Sequence, residues 1–157
     1  MATPTGAHPP VRTGGIVVGV DDSPESRAAL RWAVREGASR GLQVHAVTAW
    51  EPPMESTFGE MATVGDLPLV VAAEQTLVAA LAAAEVDDDD ERVTTTPVEG
   101  HPAEVLMRRA ETADLLVVGS RGHGRILGAL LGSVSRYVAA HAACPVVVIE
   151  SEADDPR

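Results

Sequence analysis

Short, largely apolar runs alternate along the chain with segments of helical spacing, and no other feature narrows the fold as much. GIVVGV (Gly15 to Val20), LQVHAVTAW (Leu42 to Trp50), RVTTTPV (Arg92 to Val98), ADLLVVG (Ala113 to Gly119) and CPVVVIE (Cys144 to Glu150) read as strands. Little polar alternation interrupts them, the pattern of strands buried on both faces between helix layers. Between the first two, Ser23-Pro24 supplies an N-cap and a first-turn proline. Leu30, Ala33, Val34, Gly37 and Ala38 then share one helical face, and Gly41 is placed to stop the helix. Further helices are expected over Leu69 to Val86, from Pro102 through Arg109, and after Gly132. The expected class is α/β, an open parallel sheet with helices on both faces. In such sheets ligands sit beyond the carboxyl ends of the strands, where the strand order reverses.

A chain of 157 residues is long enough to bury one core. Aromatics are only 3% of it, so Ala, Val and Leu must build that core. The net charge of −11 opposes non-specific binding to nucleic acid or anionic membrane, so neither is an expected partner. All twelve basic side chains are arginines, which removes mechanisms that need a lysine. The single cysteine, Cys144, excludes an intramolecular disulfide scaffold. The opening MATPTGAHPPVRTGG has no apolar stretch flanked by basic residues, and no apolar run is long enough to span a membrane. A soluble cytoplasmic protein is the expectation. Residues 1–13 read as a disordered arm, 14–150 as one domain and 151–157 as an acidic tail. Glu51 to Pro68 reads as a mobile loop, and Asp87 to Asp90 as a solvated turn rather than a metal site.

Two familiar phosphate loops fail on inspection. A P-loop needs GxxxxGK, and lysine is absent; the dinucleotide fingerprint needs GxGxxG after the first strand, where the chain reads VVGVDDSPES. That strand ends instead in Asp21, whose carboxylate suits ribose hydroxyls or a base amino group. The alternative is that Asp21 or Asp22 caps the next helix. GSRGHGRILGALLGS (Gly119 to Ser133) carries five glycines between a strand and a helix. Gly119 and Gly122 bracket a tight turn in which backbone N–H groups can face one point. Gly132-Ser133 opens a helix whose N-terminus offers free donors and a positive dipole end. Arg121 and Arg125 could add charge. The alternative is that Ser133 is only an N-cap and the glycines only a loop; the residues alone leave both open. His123 is equally a phosphate contact or a solvated spacer. His141 and Cys144 lie at helical spacing but make a poor zinc site without further ligands. Trp32 and Trp50 read as packing residues, and Arg108-Arg109 as a solvated helix end.

The spacing Gly119-x2-Gly122-x9-Gly132-Ser133 resembles the G-2x-G-9x-G-(S/T) nucleotide motif of the universal stress protein family. VVGVDDSPES, VTAWEPP, GHPAEVLMRRAETADLLVVGSRGHG and CPVVVI are similar to that family's segments in the same order, over roughly residues 14–150. The resemblance implies a three-layer, Rossmann-like fold akin to the adenine nucleotide alpha hydrolases, with five strands in the order 3-2-1-4-5. It further implies an adenine-nucleotide site. Asp21 would meet the adenosine, Gly19 would lie against the nucleotide, and Ala49 would line the base pocket. Gly119, Ser120, Arg121, Gly122, His123, Gly124 and Arg125 would wrap phosphates and ribose. Gly132, Ser133 and Val134 would hold phosphates from the helix end. Asp22 and Thr48 depart from the family pattern, standing where small residues and a histidine are common.

ATP, with or without Mg²⁺, is the ligand this implies, with cyclic AMP as an alternative. A regulatory stress-response protein with at most slow hydrolysis is the leading expectation, because no placed base or nucleophile surrounds the motif. The alternatives are an ATP-consuming phosphotransferase or ATPase with Glu51 to Pro68 as its lid, and an interaction module that does not use the nucleotide. The resemblance also implies a homodimer through the last strand, Pro145 to Ile149, an apolar edge of the kind that invites pairing. The alternative is an edge covered by the chain's own ends.

Overall fold

The computed structural model describes residues 14–52, 67–87, 89–122 and 130–151. In chain order these form β1 (Ile16–Gly19), α1 (Pro24–Arg40), β2 (Val44–Trp50), α2 (Leu67–Ala83), β3 (Val93–Glu99), α3 (Pro102–Ala110), β4 (Leu115–Gly119), α4 (Ser133–His141) and β5 (Val146–Ile149). The strands make one sheet in the order β3-β2-β1-β4-β5, with every neighbouring pair parallel. The chain therefore winds outward from β1 to one side and, after β3, returns to wind outward to the other. The expected sheet and its order are both present.

Burial on both faces explains the apolar runs of β1, β2 and β4, but not β3 and β5, which lie at the sheet edges and are half-buried or exposed throughout. Ile16 and Val18 of β1 enter a core with Ala29, Leu30 and Ala33 of α1 and Leu77 and Ala80 of α2. Val17 enters a second core on the opposite face, with Val105, Leu106 and Ala110 of α3 and Val138 of α4. β1 and β4 occupy the centre of the sheet, and Leu116 and Val117 are fully buried.

Local signals place the helix ends. The hydroxyl of Ser23 accepts the N–H of Ser26 at 3.2 Å, and Pro24 needs no donor in the first turn. Gly41 closes α1 at φ 68°, a left-handed conformation that a side chain disfavours. On the expected face Leu30, Ala33 and Gly37 are buried and Val34 half-buried, but Ala38 is exposed. Burial extends instead toward the N-terminus, to Glu25, Ser26 and Ala29, because the first turn presses on the end of β4. α2 starts two residues before the expected Leu69, since Pro68 is tolerated in a first turn, and ends at Ala83 rather than Val86. Glu85, at φ 55°, turns the chain out of the helix.

Asp90 accepts Arg92 through both carboxylate oxygens at 2.9 Å, which ties the acidic turn to the start of β3. Among the described residues no group of three or more His, Cys, Asp or Glu could hold a metal ion. Trp32 packs against the α1–α2 core, and the His141 ring stacks on Tyr137 at 4.5 Å between centroids. Among the described residues no helix is long and apolar enough to cross a membrane. The N-terminal arm, nearly all of the Glu51 to Pro68 loop and the tail beyond Ser151 lie outside the described residues.

Candidate functional site at the sheet switch point

β1 and β4 lie side by side, and the chain leaves them toward opposite sides of the sheet. That divergence opens a crevice beyond their carboxyl ends. At the end of β1 the hydroxyl of Ser26 donates to the C=O of Asp21 at 2.6 Å and accepts its N–H at 3.2 Å, clamping the backbone. The Asp21 side chain is held as firmly: Oδ1 accepts the N–H of Ser23 at 2.9 Å and also the Ser23 hydroxyl. Oδ2 is left facing Gly122. Ser23 is thus the helix cap, and neither Asp21 nor Asp22 is. Asp22 is exposed, pairs with Arg27 at 2.9 Å, and is not on the cavity wall.

The end of β4 and the start of α4 are bolted together. Gly132 donates its N–H to Ser120 C=O at 2.7 Å, and the buried Ser135 hydroxyl donates to Gly119 C=O at 2.5 Å. The first intrahelical bond of α4 runs from Arg136 N–H to Gly132 C=O, so the N–H groups of Ser133, Val134 and Ser135 precede it. Gly132 is the N-cap, with no side-chain cap bond, and Ser133 is the first helical residue and exposed. The alternative that Ser133 serves only as a cap therefore fails.

The three motif glycines are small for three different reasons. A Cβ on Gly119 would sit 2.8 Å from Glu25 backbone and 2.9 Å from Ser26 N, so this position lets α1 lie against β4. A Cβ on Gly122 would meet Asp21 Oδ2 at 2.7 Å, so this position makes room for the carboxylate. At Gly132 the nearest described atoms are 3.6 Å away, ordinary contact, and include Gly122 N and Arg121 Cα. The two ends of the glycine stretch therefore abut instead of standing apart. Leu130, just before the second end, is 82% exposed, so it does not pack against either end.

These elements enclose a cavity of about 340 Å³. Of the expected site residues it brings together Gly19, Asp21, Ala49, Gly119, Arg121, Gly122, Gly132, Ser133 and Val134. Ser120 is not on its wall: the residue is buried, with its N–H donated to Ile149 and its carbonyl holding Gly132. His123, Gly124 and Arg125 lie outside the described residues. Beyond Ala49 and Val134, the apolar side of the wall was missed in the sequence. Pro102 and Leu106 stand one turn apart on α3, and Leu106 closes over Gly19, where a Cβ would meet it at 3.0 Å. Their i, i+4 spacing was visible, but it marks a core face as well as a cavity wall. Val20, Val47 and Val118 complete the apolar side, and Ser26 and Ser135 add hydroxyls. Chemically the cavity offers apolar walls deep between the strands, one carboxylate at the β1 end, and helix N–H donors with an arginine at the β4–α4 end.

The Usp model, which describes the universal stress protein family, matches residues 14–150. This chain belongs to the universal stress protein family. A universal stress protein of Mycobacterium tuberculosis, Rv2623, is 34% identical over 149 residues, covering 88% of this chain and 48% of its own length. The chain thus spans about half the length of that relative. A universal stress protein crystallised in complex with cAMP is 30% identical, with a TM-score of 0.61 over 88% of this chain and 98% of that one. The hypothetical protein MJ0577 shares the fold at 22% identity, with a TM-score of 0.75 over 92% of this chain and 100% of that one.

Proposed function

We propose that this chain binds an adenine nucleotide, ATP being the expected form, and works as a regulatory stress-response protein rather than as an enzyme. One observation carries the reading: a single cavity brings together an anion-suited helix N-terminus, opened by Gly132-Ser133, the Asp21 carboxylate and apolar walls. Phosphates favour the first end, where N–H donors and the helix dipole converge, and Arg121 adds a cation. Ribose hydroxyls, which can donate, favour the second. The apolar walls take the flat base on the far side of the ribose from the phosphates, and the cavity volume falls within the roughly 300–1,000 Å³ of ligand pockets. The relative solved with cAMP supports an adenine ligand.

The regulatory half rests on what lines the cavity. Among the described residues its ionisable side chains are Asp21 and Arg121, and one oxygen of Asp21 is already bound twice by Ser23. Phosphoryl transfer needs an oriented attacker and metal ligands. Asp21 would supply one oxygen to a Mg²⁺ carried by the nucleotide, with the phosphates supplying others. Pairing of two copies through β5 belongs to the same reading. On the other sheet edge, Pro97 lies in the register of β3 that faces away from β2, where its missing N–H blocks an added strand. No proline interrupts β5.

Denaturing the purified protein and identifying released nucleotide by chromatography tests the central point. ATP or ADP is expected; no nucleotide, together with no affinity for ATP, ADP or cAMP on titration, refutes it. Sedimentation over a range of concentrations should give a dimer. Turnover with Mg²⁺ well above background that disappears in Asp21→Ala would favour an ATP-consuming enzyme instead.

A further inference from the structure

The ladder between β1 and β2 stops at the cavity in a way that one buried side chain arranges. In β2 the N–H of Val44 donates to Arg92 at 2.7 Å, and the C=O of Trp50 accepts from Gly100 at 2.8 Å. Even-numbered residues of β2 therefore turn their backbone groups to β3. Odd-numbered positions turn to β1: Gln43 accepts from Ile16 and Val47 accepts from Val20, both at 2.8 Å. The next rung of a parallel ladder would run from Ala49 N–H to Val20 C=O. Among the described residues that rung is not made, and pairing ends at Gly19 and Val47. The Val20 carbonyl instead accepts the hydroxyl of Thr48 at 2.8 Å. Thr48 is 7% exposed and not on the cavity wall, whereas Ala49 lines it.

We infer that Thr48 is a positioning residue for base recognition: by occupying the Val20 carbonyl, it leaves the N–H and C=O of Ala49 facing the cavity. This rests on the nucleotide reading above and deepens it to the base. A donor beside an acceptor matches adenine, whose N1 accepts and whose amino group donates. Hypoxanthine presents N1–H and O6, the reverse order, and fits the same shape with both bonds wrong. Without the Thr48 hydroxyl, the carbonyl of Val20, a residue only 4% exposed, has no hydrogen-bond partner among the described residues. A buried carbonyl is strongly driven to find a donor, and Ala49 N–H is the one in register.

Two variants separate hydroxyl from shape. Thr48→Val keeps the branched side chain, and Thr48→Ser keeps the hydroxyl. In calorimetric titrations of the full chain with ATP and with ITP, the wild type should prefer ATP. Thr48→Val should lose roughly tenfold in ATP affinity, about the worth of one hydrogen bond, with much less change for ITP. Thr48→Ser should stay near the wild type. Without any ligand, hydrogen exchange at the Ala49 amide should be fast in the wild type and protected in Thr48→Val. A Thr48→Val protein with the wild-type ATP-to-ITP ratio overturns the inference while leaving nucleotide binding in place. So does an equal loss for both nucleotides, or an Ala49 amide already protected in the wild type. A wild type that binds neither nucleotide overturns the proposed function itself, and the base-recognition role with it.

Discussion

Gly122→Ala asks why the second glycine of the motif is a glycine. Gly122 is not among the described residues with positive φ, so backbone strain is not the reason. An added Cβ would lie 2.7 Å from Asp21 Oδ2, and the next described atom is Asp21 Cγ at 3.9 Å. Carbon-sized groups prefer about 3.5–4.0 Å, so the carboxylate must turn away. Turning withdraws Oδ1 from the Ser23 N–H at 2.9 Å and from the Ser23 hydroxyl. Hydrogen bonds to charged groups contribute about 1.5–3 kcal/mol each, and in this half-open turn water replaces part of that. The expected destabilisation is therefore about 1.5–3 kcal/mol in total. In an Asp21→Ala background both the obstructing oxygen and the bonds are already gone, so Gly122→Ala should add almost nothing. The assay is urea unfolding of the four proteins, stripped of nucleotide, read as a double-mutant cycle. Additivity within about 0.5 kcal/mol would refute the reasoning, because it would mean that Gly122 and Asp21 do not meet.

Gly119→Ala should be the most disruptive single methyl in the motif, since its Cβ meets α1 backbone at 2.8 Å and no rotamer can relieve it. A loss of about 1–3 kcal/mol or more is expected in thermal or urea unfolding, and an unchanged midpoint would contradict the close approach. Ser133→Ala should move stability by less than about 0.5 kcal/mol, the residue being exposed and not a cap, while nucleotide affinity falls. Equal affinity on titration would remove Ser133 from the site. The Arg92 guanidinium, hydrogen-bonded to Asp90, holds that carboxyl below its usual range, and the pairing raises Arg92 in turn. The Asp90 contribution is therefore present at neutral pH and fades as pH falls through its depressed value, while that of Arg92 persists until strong alkali. In Arg92→Gln the Asp90 titration followed by NMR should move up toward an ordinary aspartate; an unmoved midpoint would show that the pair does not form in solution.

Much of this protein is legible one segment at a time. Ser23-Pro24 starts α1 and Gly41 ends it through contacts within a few residues, and the apolar runs of β1, β2 and β4 announce strands covered on both faces. The spacing of Gly119, Gly122 and Gly132-Ser133 likewise marks the site without any knowledge of its neighbours. The order of the strands came from resemblance rather than periodicity, because β1 pairs with β4 across about a hundred residues and no local pattern encodes that choice.

Tertiary structure decided the rest. Three glycines identical in sequence answer to α1, to Asp21 and to an open cavity, distinctions that exist only once distant segments meet. Pro102 and Leu106 look like core until the ends of β1 and β2 leave space beneath them. Ser120, inside the motif, is spent on holding β4, β5 and α4 together. Thr48, a departure from the family pattern in the sequence, becomes the group that takes the Val20 carbonyl. Sequence alone determined which residues prefer helix, strand or turn, since those preferences act through neighbours along the chain. Which atoms face the cavity was left to the packing, because burial and hydrogen-bond partnership are settled between segments that the chain does not hold side by side.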